Sequence, residues 1–103
     1  MLHQLKTKSD YFLDVATGKK TFEVRKNDRD FHIGDFIGLN ELTSNTVNTK
    51  GEYKETGRFI LAEITYVLKD TDYVKDGYVI LGIKPCTVAK GELKAYQIFD
   101  ELN

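Results

Sequence analysis

An α+β fold, a small and mostly antiparallel β-barrel of five to six strands, is what this chain predicts. Three observations point there. Several runs alternate apolar and polar residues with the two-residue period of a strand. Helical spacing shows in one stretch near the start and in another at the end. Short strands with one buried face must curl or stack to hide their edges, and a barrel with a helix against its side or end achieves this. A half-open sheet with two packed helices is the competing arrangement.

The elements follow in order. "LHQLKTK" alternates weakly, with Leu2 and Leu5 as its apolar members, and predicts a short first strand. "KSDYFLDVATG" predicts a helix, because Phe12, Val15 and Ala16 share a face at helical spacing. Thr7 or Ser9 suits its start, and Gly18 suits the left-handed position just past its end. "KTFEVRK" is the second strand. Phe22 and Val24 point one way, toward the expected core, and Thr21, Glu23 and Arg25 point the other. "NDRD" is a turn, since Asn and Asp bond to nearby backbone. Gly34-Asp35 is a second turn signal, leading into a strand over about Phe36 to Leu42.

The polar stretch from Thr43 to Gly57 predicts a surface loop or a long hairpin tip. "RFILAEITYVLKD" is the strongest strand, with Ile60, Ala62, Ile64 and Tyr66 on one face. Phe59 and Leu61 on the other face imply partial cover there too. "YVILGIKP" is the last clear strand, ended by the lone Pro85. Leu93, Tyr96, Phe99 and Leu102 recur by threes and favour a C-terminal helix, although "AYQIF" also alternates as a strand would.

Size and composition bound the function. A chain of 103 residues suits one domain with a real core. Its net charge of −1 gives no global field for nucleic acid, so any such role is local. The single cysteine, Cys86, rules out an internal disulfide and fits a reducing compartment. The start lacks the apolar run of a signal peptide, and no stretch nears the ~20 apolar residues of a membrane span. The expectation is a cytoplasmic protein with no cofactor. His3, His32 and Cys86 are scattered, without the paired spacing of metal ligands, so no metal is expected. No glycine-rich phosphate loop or nucleophile elbow occurs.

The stretch "GKKTFEVRKNDRDF" is crowded with charge, five positive residues against three negative. Glu23 and Arg25 lie two apart on a strand, so their side chains leave one face with Cα atoms ~6.5–7 Å apart. They can pair with each other or grip opposite ends of a polar ligand. Lys20 sits at the strand's start, where parity with Phe22 and Val24 is unreliable because the chain is still leaving Gly18. A solvated strand face with weak ion pairs is the plain alternative.

The spacing Gly-x-Lys-x-x-Glu-x-Arg, filled by Gly18, Lys20, Glu23 and Arg25, resembles the signature of the activating-signal-cointegrator homology (ASCH) domain. With the later "DGYVILGIKP" it looks most like a small bacterial and phage branch of unknown function. The resemblance covers about residues 2–84; the segment 85–103 is an unmatched extension. It implies a barrel similar to the pseudouridine-synthase-and-archaeosine-transglycosylase (PUA) domain, with a cleft beside the helix lined by the motif residues. It also implies binding of RNA or a nucleoside-like ligand. Some small bacterial relatives deacylate N4-acetylcytidine, using the motif lysine with a threonine and a glutamate. Lys20 matches that lysine, but Glu23 stands where the threonine would be.

The expectation is therefore a binding module for RNA or a nucleotide-like ligand, through Lys20, Glu23 and Arg25. Arg29, as a phosphate contact, and Tyr78, as a hydroxyl or stacking face, are further candidates. Phe31 could stack on a base but better fits the core. An amidohydrolase, with Lys20 as base or nucleophile and Glu23 as proton carrier, is the alternative. A phage-type protein-interaction module using the 43–57 loop or the apolar tail is the third reading.

Overall fold

The computed structural model describes residues 1–44 and 53–90. The elements run β1 (Leu2–Lys8), α1 (Ser9–Ala16), β2 (Phe22–Lys26), β3 (Phe36–Ser44), β4 (Tyr53–Leu68) and β5 (Tyr78–Lys90). The strands form one curled sheet in the order β1-β3-β4-β5-β2. β1 runs parallel to β3, and every other pairing is antiparallel. The result is a half-barrel rather than a closed one. Among the described residues β1 and β2 end the sheet, and neither pairs with the other. The expected C-terminal helix falls outside the described residues.

The concave face holds the main core: Leu5, Ile37, Leu39, Ile60, Ala62, Ile64, Val79, Leu81 and Ile83, with Phe12 and Val15 of α1 packed onto them. Phe31 completes this core at 5% exposure, its ring tilted against that of His3. A smaller cluster lies on the other face, where Leu2 and Phe36 pack on Phe59 and Leu61. Leu2 and Leu5 therefore serve opposite faces of β1. The alternating buried members of that strand are His3, Leu5 and Thr7.

Helix α1 ends as its sequence predicts and begins differently. Gly18 takes a positive φ of 81° just past the C-cap Thr17. At the other end Lys8 is the N-cap, without a side-chain capping bond. Thr7 and Ser9 do not cap. Thr7 belongs to β1, and the Ser9 hydroxyl donates to the Leu42 carbonyl at 3.0 Å. That bond ties the helix start to β3 instead.

Three irregularities in the sheet correct the simple alternation. The register between β3 and β4 shifts around Glu41, where three β4 residues, Thr56 to Arg58, stand opposite one. Gly57 occupies the middle with φ 86°, a conformation that a side chain would disfavour. A second shift skips Thr65, so Tyr66 leaves the face of Ile60, Ala62 and Ile64 and is exposed. The third skips Cys86 and lets Pro85 sit opposite Ala62. Proline lacks a donor but is tolerated at a bulge. β5 thus continues through Pro85 to Lys90 rather than ending there.

The stretch expected as a surface loop or a long hairpin tip contributes strand at both of its described ends. Thr43 and Ser44 pair with Lys54 and Tyr53, which makes β3 and β4 a long hairpin. Residues 45–52 lie outside the described set.

Candidate functional site in the seam of the half-barrel

β2 is the element that most defies its own pattern. Phe22 and Val24 were its expected core residues, yet they are 45% and 52% exposed, while Glu23 is buried at 3%. Pairing with β5 explains the inversion. Glu23 stands opposite Leu81 and Arg25 opposite Val79, both core residues. Directly paired residues share a face, so Glu23 and Arg25 point into the concave side. Phe22, Val24 and Lys26 share the outer face with Gly82, Ile80 and Tyr78.

The curl of the sheet brings its two ends to one cavity of about 450 Å³. β1 contributes Lys6, Thr7 and Lys8; β2 contributes Phe22, Glu23, Val24 and Arg25. Tyr11 of α1 and Lys20 of the α1–β2 connection complete the lining. The connection is held locally, with the Lys20 N–H donating to the Asp14 carbonyl at 2.9 Å. Lys20 therefore reaches the same side as Glu23.

Glu23 is gripped from both sides. Its Oε1 accepts from Lys20 Nζ at 2.8 Å. Its Oε2 accepts from Arg25 Nε at 3.1 Å and lies 2.9 Å from Arg25 Nη2. The Lys20 and Arg25 side chains keep 17% and 21% exposure against 4% for Glu23. The carboxylate is the buried anchor, and the two cations are the groups a ligand can reach. Lys20 Nζ also lies 5.4 Å from the Tyr11 ring centroid and 5.1 Å from that of Phe22, within cation–π range. The cavity lining holds four cations and one carboxylate. Lys6 spends part of its charge on Glu55 at 3.7 Å, and Lys8 lies over the Tyr53 ring at 5.3 Å.

The other sequence candidates lie elsewhere. Arg29 donates from Nη1 to the Gln4 carbonyl at 2.9 Å, pinning its loop to β1, and does not line the cavity. Tyr78 faces the outer side of the sheet, with Lys75 Nζ 5.3 Å from its ring centroid. Lys6, Lys8 and Tyr11 were missed. The alternation of β1 already placed both lysines on one side. The burial of Phe12 set Tyr11 about 100° around the helix from it.

A second polar centre was also missed. Glu41, 1% exposed, accepts from Arg58 Nε at 2.7 Å and Nη2 at 2.6 Å, and from the Thr56 hydroxyl at 2.7 Å. The Gly57 bulge aims both donors at it. The Arg58 hydrogen bond, working against desolvation and helped by Thr56, holds this carboxyl below its usual range. Arg58 also lies 5.3 Å over the Phe12 ring. Asp35 forms a third centre. Burial raises its pKa, but bonds from His3, the terminal ammonium and the His32 N–H outweigh that and bring it to about 2.

Metal chemistry finds no cluster. His3 is bound to Asp35, and His32 pairs with Asp30 at 2.8 Å. Among the described residues no group of three His, Cys, Asp or Glu side chains converges. Cys86 is exposed, and desolvation together with the charge of Glu63 pushes its thiol up. No helix among the described residues is long and apolar enough to cross a membrane.

Comparison with known proteins agrees with a domain whose activity is open. The chain is 36% identical over 80 residues to an uncharacterized 12.9 kDa protein in the GpA 3' region of Escherichia phage P2. That match spans 78% of this chain and 65% of the relative's length. Residues 2–83 match the family described as Domain of unknown function (DUF3850), and the chain belongs to that family.

Proposed function

We propose that the seam cavity binds RNA or a nucleotide-like ligand. One observation carries the reading: a protein of net charge −1 gathers four cations around one cavity. Two of them, Lys20 and Arg25, are held in place by a buried carboxylate. Cations fixed before the ligand arrives cost less entropy to use on binding. Arg25 offers a planar fork suited to phosphate oxygens, and Lys20 a compact charge beside it. The Gly18–Lys20–Glu23–Arg25 spacing supports the same reading through its resemblance to the ASCH signature, and with it a PUA-like relationship. Glu23 acts by orienting the two cations, because its depth leaves it little access to a base edge.

The geometry favours binding over hydrolysis. An amidohydrolase would use Lys20 as base or nucleophile, yet its ammonium is donating to Glu23 at 2.8 Å and lies over two rings. Those contacts engage the nitrogen as a donor to the carboxylate rather than presenting it toward open cavity space.

The test is filter binding of single-stranded RNA and nucleoside monophosphates to the full chain. Wild type binds, with a shallow salt dependence because few phosphates are neutralised. Arg25→Ala weakens binding by about tenfold or more, as loss of a charged hydrogen-bond partner does. Absence of wild-type binding, or equal binding by Arg25→Ala, overturns the proposal.

A further inference from the structure

Two aromatic rings at the mouth of the seam are unexplained by the fold. Tyr11 is 53% exposed and Phe22 is 45% exposed, and both line the cavity. Neither belongs to the core clusters. They come from separate elements, α1 and β2, so no single run of sequence forces them together. Both rings lie within about 5.4 Å of the same Lys20 ammonium. Phe22 leaves the face of β2 opposite to Glu23 and Arg25, yet at this end of the sheet it still lines the cavity.

We infer that Tyr11 and Phe22 are the stacking surface for an unpaired nucleobase, which makes the ligand a nucleotide or single-stranded segment rather than phosphate alone or a duplex. The inference rests on the seam being the nucleotide-binding site. The chemistry is an exchange. In the free protein the ammonium occupies the space over the rings. A ligand bearing both an anion and a planar ring satisfies each partner: its phosphate engages Lys20, and its ring takes the aromatic surface. A simple anion meets only half of that arrangement. A duplex keeps its base faces stacked inside and offers only edges and backbone, so it meets the same half. The cavity, about 450 Å³, is of the size that takes one small ligand.

The test compares cytidine and adenosine monophosphates with ribose 5-phosphate by calorimetric titration of the full chain. Wild type binds the nucleotides more tightly than the sugar phosphate. Tyr11→Ala and Phe22→Leu each lose about fivefold or more in nucleotide affinity, the scale of one lost base–aromatic stack. Both lose less for ribose 5-phosphate than for the nucleotides, and Tyr11→Phe, which keeps the ring, binds nucleotides more tightly than Tyr11→Ala. Thermal melts verify that the variants are folded, as expected at half-exposed positions. Equal nucleotide affinity in wild type and variants, or a parallel loss for both ligands, overturns the stacking role while leaving the anion site intact. Failure of wild type to bind either ligand overturns the site reading itself, and the stacking role with it.

Discussion

Two carboxylates flank the same helix, and each is held by an arginine through Nε and Nη2, yet their settings differ. Glu41 lies on β3, inside the sheet, opposite the Gly57 bulge of β4. It has one guanidinium and the hydroxyls of Thr56 and Ser9 as partners. Charge is matched there, one for one. Glu23 lies on β2, at the sheet's end, with two cations of its own and two lysines of β1 nearby. Charge is in surplus there. The same chemical unit serves as a clamp where strands continue on both sides, and as an anchor for reachable cations where the sheet stops. Position in the strand order, more than residue type, separates a structural ion pair from a candidate site.

Substitutions at the two centres can break that distinction. The largest effect is expected from Glu41→Ala. It empties a buried site, leaves the Thr56 hydroxyl without its acceptor, and should cost about 2–3 kcal/mol in denaturant unfolding. Nucleotide affinity of the folded protein should not change; a loss would merge the two centres into one. Glu23→Gln should cost less, about 1 kcal/mol, since Lys20 and Arg25 keep partial access to water. It also removes the anchor that orients the two cations, so inorganic pyrophosphate should bind several-fold more weakly. Unchanged pyrophosphate affinity would show that Glu23 does not restrain them. The smallest effect belongs to Val24→Thr. On the outer face of β2 it should shift stability by no more than about 0.5 kcal/mol. A cost of a buried valine's size would restore the phase in which Phe22 and Val24 are core.

Much of the fold was legible because period is a local property. The runs around Leu2, Phe22, Phe36, Ile60 and Val79 are the five strands, and Phe12 and Val15 mark the helix that covers them. Phase was the weak point. Alternation separates Phe22 and Val24 from Glu23 and Arg25, but it does not say which pair faces inward. The usual assumption, apolar inward, fails on a strand whose inner side opens into a charged cavity. Bulges were hidden for a related reason. The skipped Thr65 and Cys86, and the widened Thr56–Arg58, depend on the partner strand and leave no periodic trace. Lys20, Glu23 and Arg25 were readable as a group because three and two residues of spacing bring them together locally. Lys6, Lys8 and Tyr11 join them only through the curl of the sheet, which no short window of sequence contains.

The open seam has a consequence for strand pairing between copies of this chain. Among the described residues the half-barrel presents two strand edges, and unpaired edges invite another chain to extend the sheet. β2 is only five residues long and carries Glu23, Arg25 and Lys26; β1 carries Lys6 and Lys8. Short edges dressed in charge, lysine above all, are poor templates for strand addition. The residues proposed to draw in a ligand are thus the same ones that disfavour strand addition at these edges. Neutralising them together would trade recognition for self-association.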